Sequence, residues 1–104
     1  MTDATYAMLR RAILERKQVT CVFRGLHREL CPHVLGLNKS GQPQVLSFQF
    51  AGQSSKGLPT GGEWRCMPVS EMRNVNIRDG DWHTGKSHLR PQTCVKKIDE
   101  EVDD

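Results

Sequence analysis

No run of about 18 apolar residues occurs in this sequence, so it encodes no membrane-spanning helix. Aromatic residues make up only 6% of the 104 residues and hydrophobic residues 37%, which limits the chain to one small core. No basic-then-apolar leader follows Met1-Thr2-Asp3-Ala4, and the expectation is a cytoplasmic protein. Closely spaced cysteine pairs, which structural zinc sites usually offer, are missing. His83, His88 and Cys94, with Cys31 and His33, are the loose remainder, so neither a metal nor another cofactor is expected. Paired carboxylates are missing too, since Glu29, Glu63 and Glu71 stand alone. Cys31 and Cys66 could meet His33, but nothing in the sequence lowers a thiol pKa or supplies an oxyanion hole. The chain therefore does not read as an enzyme.

What is present is positive charge, unevenly spread. Residues 1–98 carry 15 Lys/Arg against seven Asp/Glu, while the last six residues add five acids and no base. A body of +8 partly cancelled by a tail of −5 is the electrostatic footprint of a polyanion ligand. Cys21, Cys31, Cys66 and Cys94 are widely spaced, and without a leader they read as reduced, mostly buried thiols.

The hydrophobic period changes along the chain. Tyr6, Leu9, Ala12 and Ile13 recur at helical steps, predicting a helix over residues 4–17. From Val19 the period is two: Val19, Cys21 and Phe23, then a turn at Arg24-Gly25, then a second run from Arg28 to Leu37. Pro32 has no N–H to give a ladder and marks an edge or a bulge. Val45 to Phe50 is a third strand with Leu46, Phe48 and Phe50 on one face. Residues 52–62 form a Gly-rich loop, Trp64 to Met67 a fourth strand, and Val75 and Ile77 a fifth. A helix followed by five short antiparallel strands suggests a small β-barrel over residues 1–79. An extended basic arm (80–98) and an acidic disordered tail (99–104) are expected to follow.

One motif misleads. Gly80-Asp81-Trp82-His83-Thr84-Gly85-Lys86-Ser87 fits the G-x-x-x-x-G-K-[ST] phosphate loop of nucleotide hydrolases. That loop needs a helix after it, and Pro91 would break the helix in its second turn.

A longer pattern carries more weight. Leu9-x-x-Ala12-Ile13, Arg16-Lys17, Val19-x-Cys21-x-Phe23 and Gly25-x-x-Arg28-x-Leu30-x-Pro32-His33-x-Leu35 follow in an order that resembles the WYL-domain family of bacterial regulators. At the position of that family's Trp-Tyr-Leu triplet stands Gln44-Val45-Leu46. Arg65-x-Met67-Pro68-Val69-x-Glu71-Met72 keeps a later apolar rhythm, with Pro68 and Glu71 where the family has Arg. The likeness spans about residues 9–78. It implies an Sm-like, Src-homology-3-type antiparallel barrel with an N-terminal helix, sensing a ligand and serving transcription regulation. It also implies that Arg28, His33 and Arg65 bind single-stranded nucleic acid or a nucleotide-type ligand. Lys56, in the Gly-rich loop, is a further candidate for the same basic patch. No helix-turn-helix fits, so the expected protein partner is a separate DNA-binding or effector protein. The alternative is a protein-interaction adaptor that keeps the barrel without binding nucleic acid.

Overall fold

In the computed structural model, which describes residues 2–54, 57–58, 61–84 and 94–102, helix α1 spans Thr2–Glu15. Leu9, Ala12 and Ile13 are at most 2% exposed and form the buried stripe of this helix. Burying a Leu or Ile side chain contributes about 1.5–3 kcal/mol, so this stripe holds the helix down. The helix ends where Arg16 turns left-handed (φ 51°) and the Lys17 N–H donates to the Ala12 carbonyl at 2.9 Å. That is the usual C-terminal cap, with arginine in the place glycine favours.

The strands follow from the period of two. β1 (Gln18–Phe23) and β2 (Leu26–Leu37) are joined by Arg24 and Gly25, both at positive φ, the two-residue hairpin whose twist matches that of the strands. β3 (Pro43–Gly52) and β4 (Glu63–Pro68) continue the antiparallel meander. A 3-10 turn at Val69–Glu71 then carries the chain across to β5 (Met72–Arg78), which pairs with β1. The ladder shifts register between Pro32 and Val34, so His33 is the extra residue of a bulge.

The architecture is mainly β with one N-terminal helix, but the expected barrel is not formed. The sheet runs β4-β3-β2-β1-β5, and its end strands β4 and β5 do not pair. The reason lies in the cover over the open sheet. Leu9, Ala12 and Ile13 from α1 and Val69 from the 3-10 turn join Val19, Cys21, Phe23, Leu30, Leu35, Val45, Met67 and Met72 in one core. The helix buries the face that a barrel would have to close around, so no burial is left to draw β4 and β5 together.

The C-terminal segment also departs from expectation. Lys97–Glu101 form a sixth strand, β6, on the edge of β2 beyond the end of β1, and Val102 enters the core. The crossing to β6 is tight, because a side chain on Gly36 would collide with the Lys97 carbonyl and a Val95 methyl. Nor are all four cysteines thiols. Cys66 in β4 is bonded to Cys94, at a Cα separation of 5.7 Å, while Cys21 and Cys31 are free and buried. The crossing of residues 94–96 over the sheet brings Cys94 to β4, a proximity that spacing along the chain does not encode.

No helix among the described residues is long and apolar enough to cross a membrane.

Candidate anion-binding site

Alternation divides the sheet into two faces. On the helix side β3 presents Val45, Ser47 and Gln49, of which Ser47 and Gln49 are buried polar residues. The register sets Gln49 beside Leu30 of β2 and Ser47 beside Arg65 of β4. Arg28, two residues before Leu30, lies on the same face, opposite Cys21 of β1. The apolar half of this face lies under α1, and its polar end is Arg28, Gln49 and Arg65.

Those three side chains meet. Arg28 Nη1 donates to Gln49 Oε1 at 3.2 Å, and Arg65 Nε donates to the same oxygen at 3.3 Å. Arg65 Nη2 also donates to Ser54 Oγ at 2.7 Å. Gln49 is fixed in turn, its amide giving hydrogen bonds to the carbonyls of Ala51 and Gln53. Arg28 is only 4% exposed and sits over the Phe23 ring, 5.3 Å from its centroid. Its Nη2 makes a long 3.5 Å contact with the Phe23 carbonyl, and its Nε has no hydrogen-bond partner among the described residues.

These residues wall an open cavity of about 260 Å³, lined by Phe23, Arg24, Arg28, Ser54, Trp64 and Arg65 among others. A buried guanidinium is costly, and nearby positive charge makes it costlier. Burial first, and then the charge of Arg65, lower the Arg28 pKa from its ordinary value. Within ion-pair distance of Arg28 there is no carboxylate among the described residues, whereas Arg65 pairs with Glu63 at 2.9 Å and Arg24 with Glu71 at 3.4 Å. An anion entering the cavity supplies what Arg28 lacks.

The other expected site residues lie elsewhere. His33 is fully buried on the opposite face, its Nδ1 donating to the Cys31 carbonyl at 2.7 Å and its Nε2 3.1 Å from Thr84 Oγ1. Its ring packs against Trp64 at 4.7 Å and Trp82 at 4.8 Å between centroids. The bulge at His33 is present, but it seats the imidazole behind Trp64, and His33 is not among the cavity-lining residues. Lys56 lies outside the described residues. The phosphate-loop motif falls partly outside them as well. Its described part, residues 80–84, has no regular secondary structure and packs on the sheet: the His83 ring stacks on Phe50 at 4.1 Å and its backbone N–H donates to Cys31 Sγ.

Gln49, Ser54, Phe23 and Trp64 were not anticipated as site residues. A signal existed for Gln49, because a strand that puts Val45, Ser47 and Gln49 on one face spends a core-facing position on an amide.

Comparisons with protein-family models, with curated proteins and with solved structures found no match.

Proposed function

We propose that this protein is a non-enzymatic ligand-sensing module that binds the phosphate of a single-stranded nucleic acid or a nucleotide-type ligand at Arg28 and Arg65. The observation that carries the reading is an arginine, Arg28, only 4% exposed and without a carboxylate partner among the described residues, beside a second guanidinium and on the wall of an open cavity. Arginine suits the task because its planar fork grips phosphate oxygens in pairs. A volume of about 260 Å³ falls just below the range of pockets that enclose a drug-sized molecule. It suits one phosphate with part of its nucleoside, the rest of a strand running over the basic surface. The free thiols support a binding role over cysteine catalysis, since burial pushes both Cys21 and Cys31 up to about 11, away from a reactive thiolate.

A cytoplasmic setting belongs to the same proposal. Disulfides are uncommon there, so mapping Cys66–Cys94 in protein isolated from cells under thiol-blocking conditions tests the setting.

Titration of a labelled single-stranded oligonucleotide at several salt concentrations tests the function. Arg28→Ala and Arg65→Ala should each weaken binding by about 1–3 kcal/mol. Each should also lower the salt slope by roughly the 0.7 expected for one single-strand phosphate contact. Wild-type affinity and slope in both variants would reject the site and favour an adaptor that binds protein instead.

A further inference from the structure

The cavity contains three guanidiniums but not three uncompensated charges. Arg65 carries Glu63 at 2.9 Å and Arg24 carries Glu71 at 3.4 Å, with both carboxylates about half exposed at 46% and 48%. Arg28, buried between β1 and β3, has no such partner among the described residues. The balance over these five groups is therefore one positive charge, centred on the deepest cation.

Phosphates differ on this point. A phosphodiester carries one negative charge, whereas a terminal phosphate monoester carries about −1.5 to −2 near pH 7. The diester matches Arg28 alone. The monoester brings a further charge, which Arg65 meets in full only by releasing Glu63, since its Nη2 is already paired with that carboxylate at 2.9 Å. Like charges brought together in this way are how a site rejects a competitor.

We infer that the cavity selects a singly charged phosphodiester over a terminal phosphate, and that Glu63 is the residue that sets this limit. The inference rests on the phosphate-binding reading above. Glu63 acts through Arg65: it occupies one Nη and holds the local charge balance down, so it determines specificity without gripping the ligand.

Two probes differing by one methyl group isolate the charge: a 5′-mononucleotide and its methyl phosphodiester, titrated into the full chain near neutral pH and at low salt. The wild type should bind the diester about two- to fivefold more tightly, the range that exposed ion pairs span. Glu63→Gln should remove that preference by tightening the monoester and leaving the diester nearly unchanged. Glu71→Gln, at the longer 3.4 Å pair, should do so to a smaller degree. Unfolding curves establish that each variant is folded.

Equal binding of the two probes by the wild type, or equal tightening of both in Glu63→Gln, overturns the inference while leaving Arg28-dependent binding intact. If neither probe binds, or if Arg28→Ala binds both normally, the phosphate-binding reading fails and the charge selection falls with it.

Discussion

Replacing Arg28 by methionine should make the unliganded protein more stable while removing its ligand. Methionine matches the length of the arginine stem, has no charge and fills irregular space readily. The losses are small. They comprise a 3.2 Å hydrogen bond to Gln49, a 3.5 Å contact with the Phe23 carbonyl, and a cation placed 5.3 Å from the Phe23 centroid. Hydrogen bonds from a charged group contribute about 1.5–3 kcal/mol at good geometry, and these two, at 3.2 and 3.5 Å, are at or beyond the long end of that geometry and contribute less. Gln49 Oε1 keeps the Arg65 Nε donor at 3.3 Å, so it is not orphaned.

The gains are larger. The unpartnered Nε disappears, relieving about 1–3 kcal/mol. A buried charge facing Arg65 disappears as well, and buried ionic groups replaced by apolar ones of similar volume often leave a protein more stable. The expected net effect is a stabilisation of about 1 kcal/mol, or roughly 4–8 °C in Tm for a domain of this size. Urea and thermal unfolding at low salt, without phosphate or sulfate, read this directly. Adding the methyl phosphodiester of a mononucleotide should then raise the wild-type Tm and leave Arg28→Met unmoved, because only the wild type binds it. A loss of more than about 1 kcal/mol in Arg28→Met without added anion would refute the reasoning. It would show that Arg28 supports the core rather than waiting for a ligand.

Breaking the Cys66–Cys94 bond, whose residues are 28 apart, should cost about 3–4 kcal/mol by loop entropy. Urea midpoints of the Cys66→Ser/Cys94→Ser double variant check this, and an unchanged midpoint would mean that the crossing segment needs no staple. Tyr6 is the only tyrosine, and its hydroxyl donates to Asp99 Oδ2 at 2.7 Å. Burial first and then Asp99 push its pKa up to about 12 from 10.0, so the folded state holds this proton more tightly than the unfolded chain. The stability this provides is complete below about pH 10 and lost as pH rises towards about 12. A phenolate absorbance titration should show this shift, and Asp99→Asn should lower the value without restoring it fully, because burial remains.

Alternation made β1, the core of β2 and the positions of β3, β4 and β5 legible, and the 3.6-residue period did the same for α1. Pro32 marked the bulge that places His33. What stayed hidden has physical causes. β6 reads Lys97-Ile98-Asp99-Glu100-Glu101, with its one aliphatic residue, Ile98, 47% exposed, so its signal is backbone pairing and not side-chain period. In β3 the alternation set Leu46, Phe48 and Phe50 together on one face. Val45-Ser47-Gln49 faces the helix instead, while residues 80–84 cover the aromatic side through His83. Arg28, His33 and Arg65 were named together through a family resemblance and not through strand register, and only the two arginines lie side by side. The shared Gln49 acceptor was not legible, since it depends on the register between three strands.

The position of β6 bears on the order in which the chain folds. β1 to β4 are joined by hairpins between neighbours, and such local contacts close at little entropic cost. The pairs Leu37–Lys97 and Val34–Glu101 join the middle of the chain to its far end. The kinetic hypothesis is that the meander forms first and the last strand docks onto β2 afterwards. Phe23, Arg28, Gln49 and Arg65 all belong to the meander, so the anion cavity would be assembled before the sheet is complete. Pulsed hydrogen exchange during refolding should then protect the amides of β1 to β3 ahead of those of β6, and simultaneous protection would rule this order out. On that order, a phosphodiester present during refolding stabilises the meander once its cavity has formed and leaves the docking of β6 at its own rate.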